Sequence, residues 1–319
     1  MKLGEEILYL SSADIDACGL SLADVEAAVE AMFAAKAAGN VVMKPKTGLH
    51  APGGTLFLAS PAIIGTPAVA GIKWISVAGN QARSLPHIAG LIMLNDGETG
   101  MPLAAMDAKW VTAVRTAAIT AVAARRLARP DSAAIGFIAC GVQAQANLAA
   151  LAPHFPLTHI RAYGRRKESA EDFAAEARGH GFEAEAVDNP RDAVEAMDMV
   201  ITSTPVAPRT EPFLDAAWLA PGSFAGLVDL GVSWRPETLP ALDRVMTDDI
   251  AQSGSENVAY PKPFHGEIAD LVTGNLKGRE TAEERTALVF AGLGLADVAV
   301  GAAVYRRALE RGVGQVLPL

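Results

Sequence analysis

Ile135-Gly136-Phe137-Ile138-Ala139-Cys140-Gly141-Val142-Gln143-Ala144 is the stretch on which the fold turns. The apolar, β-branched run Ser132–Ile138 predicts a strand, and Gly141–Ala152 predicts a helix. A strand turning into a helix over glycine is the pattern of a dinucleotide site, G-x-G-x-x-G/A. Here it reads A-C-G-V-Q-A. Gly141 keeps the place where backbone must approach a pyrophosphate, and Ala144 is small enough for close helix–sheet packing. Ala139 stands for the first glycine, so the turn is made with a Cβ present. The helix start offers free N–H groups to phosphate. Cys140, Gly141, Val142 and Gln143 are therefore candidate cofactor residues.

Working outward, strands and helices alternate. Strand His159–Tyr163 is followed by helix Lys167–Gly179, strand Glu183–Val187, helix Arg191–Met197, and strands Met199–Ser203 and Ser223–Leu230. Such alternation implies an α/β fold, a Rossmann-type doubly wound parallel sheet. The ribose is read about 24 residues after Gly141, at Tyr163-Gly164-Arg165-Arg166-Lys167. No Asp or Glu stands there for a 2′-hydroxyl. Arg165 and Arg166 suit a 2′-phosphate instead, so the reading leans to NADP and leaves NAD open. Thr202, Ser203 and Thr204 follow a strand and line the expected crevice. Thr116, Leu230 and Gly294 complete the candidate cofactor set.

The first hundred residues differ in character. An amphipathic helix over 20–38, capped by Ser21, precedes strands at Thr55–Leu58, Val69–Trp74 and 88–95. The turn Asp96–Gly100 leads into a hairpin. These signals predict a second, α+β domain with a largely antiparallel sheet. Asp107–Arg126 reads as a long Ala-rich helix, and Ala287–Arg311 as another that packs on the first domain.

With 319 residues, two domains are expected. Half the residues are hydrophobic, which is enough for a large core. No apolar run reaches the roughly 20 residues of a membrane helix. Glu5 and Glu6 interrupt what would be a signal peptide, and Cys18 and Cys140 fit no metal or disulfide framework. The expectation is a cytoplasmic protein. The net charge of −9 speaks against nucleic-acid and membrane partners, and makes clustered cations in the first third informative.

Several segments occur together in one order: Lys44-Pro45-Lys46-Thr47, Gly71-Ile72-Lys73, Asp107 through Thr112 to Arg115-Thr116-Ala117, the turn at 141–144, and Gly266-Glu267-Ile268 through Gly274 to Gly278-Arg279. In these the chain resembles the ornithine cyclodeaminase/mu-crystallin family. The resemblance implies a homodimer. It implies a substrate-binding and dimerisation domain of residues 1–120 plus 295–319, and a dinucleotide domain of 121–294. It also implies a small imino- or amino-acid substrate held near the nicotinamide of NAD(P)H. Lys46 matches a carboxylate-binding cation that is usually Arg in the family. Lys73 matches the lysine beside the substrate, and Arg115 the clamp on the α-carboxylate. Asp229, in Leu227-Val228-Asp229-Leu230-Gly231, matches an acid that handles the substrate amine, but lacks the Pro-Gly-Lys that follows it in cyclodeaminases. The segment Phe290–Asp297 is shorter than in the family. Both departures weaken ornithine as substrate.

Reducing an imine needs hydride at carbon, a proton at nitrogen and a fixed carboxylate. Arg115 can fix the carboxylate; its alternative is an ion pair with Asp107. Lys73 is the candidate proton donor if burial or neighbouring cations lower its pKa. Asp229 is either a proton acceptor or an acid organising the cofactor loop. Ser60 is polar where the family often has Met, and Arg83 and His87 lie just beyond the Lys73 strand. A dicarboxylic imine needs a second anchor of that kind. The expected activity is therefore reduction of iminosuccinate to L-aspartate, with Arg83 or His87 reading the distal carboxylate. A cyclodeaminase-type lyase, a cyclic-imine (ketimine or pyrroline-carboxylate) reductase, an alanine dehydrogenase and a non-enzymatic ligand binder are the alternatives.

Overall fold

The computed structural model describes residues 2–205, 211–255, 260 and 263–319. The chain begins with β1 (Glu6–Leu10), α1 (Ser12–Cys18), α2 (Leu22–Ala37), β2 (Val41–Met43), β3 (Thr47–His50) and β4 (Leu56–Gly65). Next come β5 (Ala68–Val77), β6 (Ile88–Asp96), β7 (Pro102–Asp107) and α3 (Lys109–Leu127). The middle holds β8 (Ala134–Ile138), α4 (Val142–Leu151), β9 (His159–Tyr163), α5 (Lys167–Gly179), β10 (Glu183–Ala186), β11 (Met199–Thr202) and β12 (Phe224–Leu227). It continues through β13 (Arg244–Thr247), α6 (Ile250–Ser255), β14 (Gly266–Glu267), α7 (Ile268–Thr273) and β15 (Thr286–Val289). The chain closes with α8 (Gly294–Arg311) and β16 (Gln315–Pro318). It divides into two units, Met1–Arg115 with Leu293–Leu319, and Thr116–Gly292.

In the first unit the sheet runs β16-β1-β7-β6-β5-β4-β2, with β3 also on β4. All its pairs are antiparallel except β1 with β7. Alternation along the strands buries one face: Ile92, Leu94 and Met106 point inward with Val25, Val29 and Phe33 of α2. Ser21 caps α2 in a capping box with Asp24, which satisfies N–H groups the helix start leaves open. Gly294 lets α8 approach β4 closely, since a Cβ there would lie 2.7 Å from the Ser60 carbonyl oxygen.

The second unit carries an all-parallel sheet in the order β10-β9-β8-β11-β12-β15-β13-β14. From β8 the chain passes by α4 to β9 on one side, and later returns to β11 on the other. The ends of β8 and β11 thus form a topological switch point, where such sheets bind ligands. The doubly wound α/β class expected from the alternation is the fold observed.

Two expected elements do not form. Arg191–Met197 makes turns rather than a helix: its N–H groups return to Pro190 and Arg191, and Ala196 takes a left-handed φ of 62°. A left-handed residue inside the run breaks the succession of right-handed turns that a helix needs. Ala287–Arg311 is not one helix. Thr286–Val289 is a strand buried on both faces, and only from Gly294 does helix begin. Apolar runs buried on both faces look alike as helix and strand. Among the described residues no helix is long and apolar enough to cross a membrane.

The capping box makes a local prediction. Ser21→Ala should cost about 1 kcal/mol, read as a lower urea midpoint with an unchanged slope.

Candidate functional site

Lys73 lies on β5 and faces the buried side of its sheet, with 3% of its surface exposed. Three elements meet around it. Its Nζ donates to Oδ1 of Asp297 in the first turn of α8, at 2.8 Å. Arg115, on the second turn of α3, donates from Nε to the same Oδ1, also at 2.8 Å. Asp297 and Arg115 are 1% and 7% exposed. Ser60 is the cross-strand partner of Lys73 and is buried beside it. The half-buried Lys46 adds its charge from the β2–β3 connection.

Burial and the Arg115 guanidinium push the Lys73 amine down, and Lys46 adds to this. Asp297 opposes them, and the amine rests at about 7. An amine near 7 is divided between donor and acceptor forms at neutral pH, which suits proton transfer.

The structure thus brings together Lys46, Ser60, Lys73 and Arg115 of the residues singled out above. It does not bring Arg83 or His87 to them. Both are exposed on the β5–β6 connection, where His87 bonds to the Ala78 carbonyl. Val77, where β5 ends, is four residues past Lys73, about 13 Å along a strand. Nor does Asp107 pair with Arg115; its carboxylate caps α3 at the Lys109 N–H, 2.8 Å away. The sequence reading does not single out Asp297. Its signal was present: Asp297 is the sole charged residue between Gly292 and Val304, a stretch otherwise of Gly, Ala, Leu and Val. A charge kept in such a run is buried against partners.

In the second unit, Ala139 makes the turn after β8 with a left-handed φ of 70°, its N–H bonded to the Tyr163 carbonyl. Gly141 N-caps α4 with no side-chain bond and open space at its Cβ position. Val142 is exposed beside it. The first-turn amides at this switch point therefore face room for a pyrophosphate, and the residues fit a dinucleotide. Cys140 reaches the Tyr163 carbonyl, and burial pushes its thiol up to about 12, so it is a neutral wall. Ser203 ties the loop after β11 to the β8 turn through the Ala139 carbonyl.

Asp229 is buried under that loop. It accepts from the hydroxyls of Thr202, Thr204 and Ser233 at 2.8, 2.6 and 2.6 Å, and from the Gly231 N–H. A carboxylate so surrounded holds the loop ends of β11 and β12 together. Leu230 follows in a left-handed turn. Thr116 is buried in α3. Gly294 belongs to the first unit, where it packs on the Ser60 carbonyl. Beyond β9, Arg165 and Arg166 are exposed, and among the described residues neither pairs with an acid. Lys167 is drawn aside by Asp188 at 2.7 Å.

The profile of the ornithine cyclodeaminase/mu-crystallin family matches residues 8–312. The alanine dehydrogenase of Archaeoglobus fulgidus is 33% identical over 322 residues, covering 97% of each chain. An archaeal alanine dehydrogenase dimer with bound NAD superposes with a TM-score of 0.87 at 30% identity, over 98% of this chain and 99% of the other. The Δ1-pyrroline-2-carboxylate reductase of Thermococcus litoralis, in complex with NADH and L-proline, gives 0.88 at 28%, over 97% and 99%.

The low Lys73 value has a consequence for stability. Above pH 7 the unfolded lysine still binds its proton while the folded one releases it, so stability rises with pH between about 7 and 10.5. Relative to Lys73→Met, the wild-type protein should gain about 2 kcal/mol from pH 7 to pH 9, measured by urea unfolding of both at each pH.

Proposed function

Because this chain belongs to the ornithine cyclodeaminase/mu-crystallin family, we propose that it is an NAD(P)H-dependent reductase of small imino acids, with iminosuccinate, giving L-aspartate, as its preferred substrate. The observation that carries this reading is the buried Lys73–Asp297–Arg115 cluster. Arg115 binds the α-carboxylate of the imine. Lys73, protonated, gives its proton to the imine nitrogen as the carbon receives hydride, and the C=N bond becomes CH–NH. A nicotinamide, when bound, would supply that hydride. Excluding water from around Lys73 keeps the imine from hydrolysis and strengthens each charge contact.

The cofactor is held at the switch point by Gly141, Val142 and Gln143, with the Thr202–Thr204 loop fixed by Asp229. Asp229 then acts on the cofactor loop, rather than on the substrate amine. Arg165 and Arg166 favour NADPH, because no acid at the end of β9 competes for them.

The second carboxylate of iminosuccinate falls to Lys46, the remaining cation acting on Lys73, rather than to Arg83 or His87. A second reading has its own support. The 33% identity to an alanine dehydrogenase favours the imine of pyruvate, which needs one anchor only.

The protein also works as a homodimer in this proposal. Register places Tyr9, Ile63, Trp74, Leu91 and Met93 on one outward face of the first unit's sheet, all exposed. An apolar face of that kind calls for a second copy.

Two experiments test these proposals. The protein is mixed with NADPH or NADH, ammonia and oxaloacetate, pyruvate or glyoxylate, and loss of reduced cofactor is followed. NADPH with oxaloacetate should react fastest, and Lys46→Met should erase a tenfold or larger preference over pyruvate. No oxidation of either cofactor with any acid defeats the reductase reading, and a preference lost in Arg83→Ala instead returns the anchor to the loop. In sedimentation velocity the wild type should run as a dimer, and Trp74→Glu with Leu91→Glu as a monomer; a monomeric wild type defeats the dimer.

A further inference from the structure

We infer that Asp297 is a positioning residue for the reduction: one oxygen of its carboxylate holds the proton-donating amine of Lys73 and the carboxylate-binding guanidinium of Arg115 at a set spacing. The inference rests on the roles given to Lys73 and Arg115 above. It assigns a part to a residue that touches neither substrate nor cofactor.

The geometry is specific. Both cations bond to Oδ1, at 2.8 Å each, so their nitrogens lie no further apart than two hydrogen bonds laid end to end. Lys73 is fixed by a strand, Arg115 by one helix and Asp297 by another, so no side chain sets this spacing alone. The start of α8 is located independently. Gly294, one turn before Asp297, abuts the Ser60 carbonyl, and Ser60 is the cross-strand partner of Lys73. The same contact that seats α8 on β4 therefore brings Asp297 to the amine.

Stability alone does not account for this arrangement. Three charged groups buried together carry a desolvation cost, and apolar residues of like volume are often as stable. What the carboxylate supplies is charge and spacing. Two cations pressed together repel, and the repulsion drives the amine towards its neutral form. The charged groups facing Lys73 are Arg115 from α3, Asp297 from α8 and Lys46 from the β2–β3 connection. Asp297 alone among them favours the protonated amine. Without it, Lys73 would hold too little proton at neutral pH to deliver one.

The isosteric Asp297→Asn keeps shape and removes charge. The protein is labelled with [ε-13C]lysine, and the Lys73 resonance is assigned by its absence in Lys73→Met. The titration midpoint should fall by at least one pH unit in Asp297→Asn, and an unmoved midpoint overturns the inference. This measurement needs no turnover, so it stands whether or not an imine is reduced. Where the wild type does turn over, the pH at which imine reduction declines should move down by the same amount. NADPH binding, followed by fluorescence, should be unchanged and reports that the variant is folded. Should Asp297→Asn not fold, Asp297→Glu keeps the charge but displaces the oxygen by one methylene. It should hold the midpoint within half a unit and lower kcat at least tenfold; a wild-type kcat overturns the inference.

Discussion

One buried carboxylate oxygen accepts hydrogen bonds from two cations, and the arrangement of charge in the first unit depends on it. Oδ1 of Asp297 binds Lys73 and Arg115 at equal distance. Each partner would be unstable there alone, because a buried, unpaired charge costs several kcal/mol. Together they form a buried cluster of two cations about one carboxylate. The lysine is left near neutrality in its proton balance by opposing forces, burial and Arg115 against Asp297. Small changes in any of these groups would shift that balance.

The second unit solves a different problem with the same device. Asp229 is also buried, but its partners are the hydroxyls of Thr202, Thr204 and Ser233 rather than cations. Hydroxyls donate without bringing charge, so the loop is pinned while the acid keeps no proton-transfer partner among them. The two acids thus divide by their neighbours: one shifts the proton balance of an amine, the other fixes a loop. The two units, one built on a largely antiparallel sheet and the other on a parallel sheet, accommodate one each.

Much of this was legible in the residues. Ile135–Ala144 announced the strand, turn and helix, and alternation beyond it announced the parallel sheet, because period and turn chemistry are local properties. A turn made with a Cβ present was expected at Ala139, and the structure adds that its φ is left-handed. Lys73 and Arg115 were legible through family likeness. Failures had local causes as well. Thr286–Val289 passed for helix because its neighbours are Ala-rich and its burial is two-sided. Arg83 and His87 follow Lys73 closely in sequence, but the strand between carries the chain on to an exposed connection.

Order of residues thus settled the class of fold, the place of the phosphate-binding turn and the types of group available for chemistry. All of these depend on contacts within a few residues, or on a repeat carried along one element. The company each group keeps was settled only by folding. Lys73 and Asp297 are 224 residues apart, and Arg115 and Asp297 182. Nothing local in any of the three announces the others. Their union depends on α8 returning to a sheet made near the chain's beginning, and on a glycine that lets it come close. Long-range packing decides which charges face each other, and through burial it decides what those charges do.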